Sequence, residues 1–143
     1  MASNQTANFG LNQWAAEDKV LREEFNADNQ KIEAALGSIP KVATGSYVGT
    51  GTSGADKPSS MNFEFQPLMV VITQDSTTSA RSGFLLIQGQ SKSAGIGSVS
   101  STSAALEVHI TWAGKGLSWY SNEGPNEQMN VSGETCYYFA LGR

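Results

Sequence analysis

Hydrophobic periodicity changes once along this chain, and the change limits what it can fold into. Up to Gly37 the apolar residues recur at helical spacing, and from Gly45 onward that spacing is lost. Asn12 can cap a helix starting at Gln13, and Gly37 followed by Pro40 ends it. The predicted helix has about 25 residues and is ~37 Å long at the usual rise. Trp14, Leu21, Phe25, Ile32 and Leu36 fall in a narrow stripe. In heptads, Leu11, Phe25 and Ile32 share one seam position, and Trp14 and Leu21 share the other, which is coiled-coil spacing. Asp18 and Asp28 also fall on this seam, four before Arg22 and three before Lys31. They are read as edge residues that set register.

So narrow a stripe finds little to pack against within its own sequence. The helix can fold back on the rest of the chain or meet copies of itself. Bulky Phe and Trp on the seam favour self-association, with three strands ahead of two.

The remainder reads as β structure. Candidate strands are 46–50, 60–65, 68–74, 83–89, 95–101, 105–113, 117–122, 127–132 and 136–142, separated by turn-rich segments such as "TSGADKP", "AGKG" and "NEGPNE". The clearest unit is a hairpin. Leu106, Val108, Ile110 and Trp112 alternate with Glu107, His109, Thr111 and Ala113. After "AGKG", Leu117 and Trp119 share one face, while Ser118 and Tyr120 share the other. The runs "LMVVI" and "FLLI" are apolar on both faces, as in strands covered from both sides. The expected fold is mainly β with one N-terminal α-helix, an antiparallel β-sandwich head on a short trimeric coiled-coil stalk. Its expected parts are an arm over 1–11, a helical trimerisation segment over 12–40 and a head over 41–143.

Composition excludes several functions. With 143 residues and a net charge of −4, the chain has no basic stripe to neutralise phosphates, so nucleic acid is not an expected partner. The opening "MASNQTANFG" lacks the charged and apolar regions of a signal peptide, and no apolar run approaches ~18 residues, so neither export nor membrane insertion is expected. The single cysteine, Cys136, lies in an apolar run and is read as a buried thiol.

Chemistry-bearing motifs fail on context. "GTGTSG" (49–54) has the spacing of a dinucleotide fingerprint, but a strand rather than a helix should follow it, so it reads as a glycine-rich turn. His109, the only histidine, has no metal-ligand partners at the right spacing. No nucleophile elbow occurs. No enzyme activity, metal or cofactor is expected. The loops are instead neutral and polar, and the chain after Gly45 has five basic and seven acidic residues. Neutral loops with a few aromatics suit sugars, whose ring faces stack on aromatics while amides and hydroxyls bond their hydroxyls. Tyr47, Trp119, Tyr120 and Asn122 are the candidate contacts. Trp112 and Trp119 also read as core, and Tyr120, on the opposite phase, is the better contact.

Two stretches resemble one kind of protein. "TANFGLNQWAAEDKVLREEFNADNQKIEAAL" resembles the leader of many tail and fibre proteins from phages and prophages of Gram-positive bacteria. The shared features are Asn8-Phe9-Gly10-Leu11, Trp14, Asp18, Phe25-Asn26, Asp28 and Ile32. "GSYVGTGTSG", "PSSMNFEFQPLMVVI" and "GETCYYFALG" are similar to modules at the ends of such fibres. The chain departs from long fibres in having no repetitive shaft. The resemblance implies a homotrimer in the virion, held through Leu11, Trp14, Leu21, Phe25, Ile32 and Leu36, with the β part as its head. It implies that the arm attaches to other tail or baseplate proteins and that the head binds a host cell-surface glycan or protein. A purely structural tail protein and a free carbohydrate-binding module are the alternatives.

Overall fold

The computed structural model describes residues 1–74, 83–93 and 107–143. The chain is mainly β with a single short helix, and every strand pairing is antiparallel among the described residues. By its contacts it divides into two units, Met1–Ile39 and Pro40–Arg143.

In the first unit, strands β1 (Asn4–Gln5) and β2 (Asn12–Gln13) form a small hairpin, followed by helix α1 (Arg22–Gly37). The helix ends at Gly37 as expected, but it begins nine residues later than Gln13 and has 16 residues. Asn12 does not cap it. Its backbone N–H and its side-chain Nδ2 donate to the Asp28 carboxylate at 2.8 and 3.1 Å, and Nδ2 also donates to the Glu24 carbonyl at 3.2 Å. Asp18 lies ahead of the helix, where it accepts from Ser3 N–H, Ser3 Oγ and Ala15 N–H at 2.8, 2.6 and 2.8 Å. Glu24 accepts from Ala2 N–H and from the Trp14 indole, both at 3.0 Å. Carboxylates that face solvent on an isolated helix are satisfied here by an arm folded onto it, and that competition stops the helix short.

This changes the expected seam. Leu11 and Trp14 are not helical, and Leu21 is the extended residue just ahead of the helix. Phe25, Ile32 and Leu36 remain on the helix. All three are exposed, while Asp28 is its only buried residue. Asp28 therefore anchors the arm rather than setting the register of a seam, and it keeps the expected pairing with Lys31, at 3.4 Å. Gly10, at φ 61°, makes the turn between β1 and β2 and presents its carbonyl to Lys31 Nζ. Left-handed backbone of this kind favours glycine.

Among the described residues, the second unit holds two four-stranded sheets. One contains β3 (Lys41–Val48), β5 (Pro67–Gln74), β6 (Gly83–Ile87) and β10 (Thr135–Gly142), in the order β3-β10-β5-β6. The other contains β4 (Ser59–Asn62), β7 (Lys92–Ser93), β8 (Val108–Ala113) and β9 (Gly116–Tyr120), in the order β4-β9-β8-β7. Buried residues of both sheets share one core. Val70, Ile72, Phe84, Leu86, Cys136 and Ala140 come from the first, and Val108, Ile110, Leu117 and Trp119 from the second.

The hairpin alternation holds over its described residues. Val108, Ile110, Leu117 and Trp119 are buried, and Trp112 packs against them. Leu106 and the candidate strand at 95–101 lie outside the described residues. Gly114, at φ 55°, occupies the first position of the two-residue loop between β8 and β9, the type II′ pattern.

Three readings differ from the structure. β3 begins at Lys41 rather than residue 46, because β10 pairs with it along its whole length, from Lys41↔Gly142 to Val48↔Thr135. The segment 127–132 is not a strand. Gln128 N–H and Asn130 N–H bond back to the carbonyls of Gly124 and Pro125, and Met129 takes φ 56°. Finally, β5 and β6 bury one face only. Their other face holds exposed and half-buried apolar residues.

Candidate ligand-binding pocket

The loop joining β3 to β4 is fixed by two buried amides. The Asn130 side chain accepts from Thr50 N–H at 2.9 Å and donates to the Thr52 carbonyl at 2.8 Å and to Thr50 Oγ1 at 2.9 Å. Gln128, fully buried, accepts from Gly54 N–H and Ser121 N–H at 3.0 and 3.1 Å and donates to the Lys57 carbonyl and Ser59 Oγ at 2.8 and 3.1 Å. Both amides thus have their donors and acceptors satisfied, as burial requires. "GTGTSG" is a turn, with no helix after it, and β4 begins at Ser59. Gly49 is needed there for close approach: a Cβ would lie 2.0 Å from the Val131 carbonyl oxygen.

This loop forms one side of a pocket of about 310 Å³. Tyr47 and Tyr138 provide aromatic surface, Trp119 and Met61 apolar surface, and Thr50, Thr52 and Ser59 hydroxyls. Tyr138 stands edge-on to Phe63, with ring centres 5.9 Å apart, and leaves no room for a side chain at Gly45 opposite it. Tyr47 donates its hydroxyl to the Met129 carbonyl at 2.7 Å, and its ring is tilted 60° to Trp119 at 6.2 Å. Burial, with Cys136 beside it, pushes the Tyr47 phenol far above its ordinary range, so it stays a neutral donor. Burial likewise pushes up the Cys136 thiol, which donates to the same carbonyl at 3.3 Å.

The described lining includes no carboxylate, amine, imidazole or thiol. Its volume falls at the lower end of the roughly 300–1,000 Å³ found for small-molecule sites. Aromatic walls with a hydroxyl rim can hold a neutral polyol ring, apolar on its faces and hydrogen-bonding at its edge.

Of the four residues expected to contact ligand, the pocket brings together two, Tyr47 and Trp119. Trp119 is 1% exposed and donates its indole N–H to the Gln128 carbonyl at 2.9 Å, so it is a floor and not a stacking platform. Tyr120 faces the other side of its sheet, stacked on His109 with ring centres 4.6 Å apart. His109 also lies 3.3 Å from the Glu107 carboxylate. Asn122 is exposed and does not line the pocket. Sequence reasoning missed Tyr138, Asn130 and the two threonines. The alternation of Cys136, Tyr138 and Ala140 was a usable signal for Tyr138. Nothing local marks Asn130.

Among the described residues, no three metal-binding side chains gather and no helix is long and apolar enough to cross a membrane. In comparison with known proteins, no family model, curated protein or solved structure matches the chain.

Proposed function

We propose that this chain is a phage or prophage tail-fibre protein that assembles as a trimer and attaches to the bacterial surface by binding carbohydrate in the pocket beside Tyr47 and Tyr138. The observation that carries the ligand class is the pocket's make-up, aromatic walls under an uncharged hydroxyl rim. In this reading the two sheets are a β-sandwich head, and α1 is a short coiled-coil stalk whose exposed Phe25, Ile32 and Leu36 meet the same residues of other copies. The arm over residues 1–11 attaches to other tail or baseplate proteins, and no catalytic step is involved. The resemblance of the leader supports the virion setting. A free carbohydrate-binding module is the second reading, favoured by a helix of 16 residues where the stalk needed about 25.

The test is binding of the purified chain to intact Gram-positive cells and to their wall polysaccharide, compared with Thr52→Trp. Thr52 is exposed in the loop between β3 and β4 and lines the pocket, so the variant should fold with its pocket filled. Saturable binding by the parent chain and at least ~10-fold weaker binding by the variant is expected, the loss of about 1.4 kcal/mol. Equal binding by both would refute the pocket as the site.

A further inference from the structure

The two sheets of the second unit differ on their outer faces. On the β4-β9-β8-β7 sheet that face carries Ser60, Ser118, Thr111, Tyr120, His109 and Lys92, paired in register. It is suited to water. On the β3-β10-β5-β6 sheet, register places Val42, Leu141, Met69 and Ile87 in one row across all four strands. The next row holds Thr44, Phe139 and Val71, and the one after it Ser46, Tyr137 and Thr73. None of these residues is charged.

Val42, Tyr137, Phe139 and Ile87 are 54%, 49%, 39% and 45% exposed. Together they leave on the order of 400 Å² of apolar surface open, the size of the largest patch on a typical monomer, which often marks an interaction site. Adding the half-buried Met69, Val71 and Leu141 brings the face toward the ~800 Å² per partner that a stable interface removes from water. A sheet apolar on both faces is the pattern of one covered on both faces.

We infer that this face packs against the same face of a second copy of the chain. The absence of charge identifies the occupant: an acidic or basic partner would find nothing to pair with, whereas a neutral apolar surface is complementary to itself. This interface goes beyond the helix-mediated assembly proposed above and does not depend on it.

The experiment uses the full chain. A tagged copy with the photocrosslinker benzoylphenylalanine in place of Tyr137 is co-expressed with an untagged wild-type copy and irradiated. Position 137 is half-exposed, and an aromatic replaces an aromatic, so the fold is retained. The expected product joins tagged to untagged chains, with the crosslink within 41–48, 67–74, 83–87 or 135–142. Phe139→Lys in both copies should reduce that product at least 10-fold. Crosslinks confined to one copy, for example to residues 22–37, would overturn the inference, as would no crosslink at all. Failure to bind polysaccharide would refute the pocket proposal and leave this result unchanged.

Discussion

Replacing Gln128 with Leu should destabilise the second unit by about 2–4 kcal/mol, since a buried donor or acceptor left unpaired costs about 1–3 kcal/mol. The side chain is fully buried and makes four hydrogen bonds, to Gly54, Ser121, Lys57 and Ser59. Leucine has similar volume, so the cavity contribution is small. The four partners are not equally exposed to the loss. Ser121 is wholly buried, so its N–H would have neither acceptor nor water. Lys57 is exposed and Gly54 half-buried, so water can replace the amide there. The Ser59 hydroxyl can turn to another acceptor. The penalty therefore centres on Ser121, with smaller losses at the loop. Thermal unfolding at fixed protein concentration is the assay, because self-association would make the midpoint concentration-dependent. A fall of roughly 10 °C is expected for a chain of this length. Amide exchange at Gly54 should also accelerate, since the loop loses its tether. A midpoint within about 2 °C of the parent would refute the claim that this amide holds the pocket loop, given how costly buried unsatisfied groups are.

Three further outcomes follow from the geometry. Gly49→Ala would push a Cβ to 2.0 Å from the Val131 carbonyl oxygen and should cost at least ~3 kcal/mol, whereas Gly133→Ala, at φ 80° in open space, should cost about 1–2 kcal/mol, and urea unfolding separates them. The arm of the first unit should release in acid. Hydrogen bonds from the Ser3 hydroxyl and Ala15 N–H hold Asp18 below its ordinary range. At Glu24 burial pushes upward but is outweighed by donors from Ala2 and Trp14. Both folded values are depressed, so the stabilisation is full above the unfolded carboxylate range near pH 4 and is lost as pH falls through the lower folded values. The Trp14 indole N–H resonance should therefore move below about pH 4, and an unchanged resonance at pH 2 would contradict the Glu24 contact. Phe25→Asp with Ile32→Asp should weaken self-association through the helix while the second unit stays folded. Light scattering of the double variant, beside its circular dichroism, checks both.

Much of the fold was legible because local pattern and tertiary demand agreed. Strands β5, β6, β9 and β10 follow from apolar runs bounded by turn residues, and the alternation around Ile110 and Trp119 told which side is core. The reading failed where long-range partners outbid local preference. Residues 13–21 have helical spacing, yet the Asp18, Glu24 and Asp28 carboxylates accept N–H groups from the arm, so the helix starts at Arg22. The Gln128–Asn130 segment resembles a strand, but its amides face inward to hold a loop some 70–80 residues earlier in the chain.

The sequence by itself determined that this protein is mainly β after one N-terminal helix, because periodicity and turn chemistry act over a few residues at a time. Only the tertiary structure decided where the helix begins, which aromatics share the pocket and which apolar sheet face stays uncovered. Tyr47, Asn130 and Tyr138 come together through the pairing of β3 with β10 and the fold of the loop between β9 and β10, contacts that no local pattern encodes.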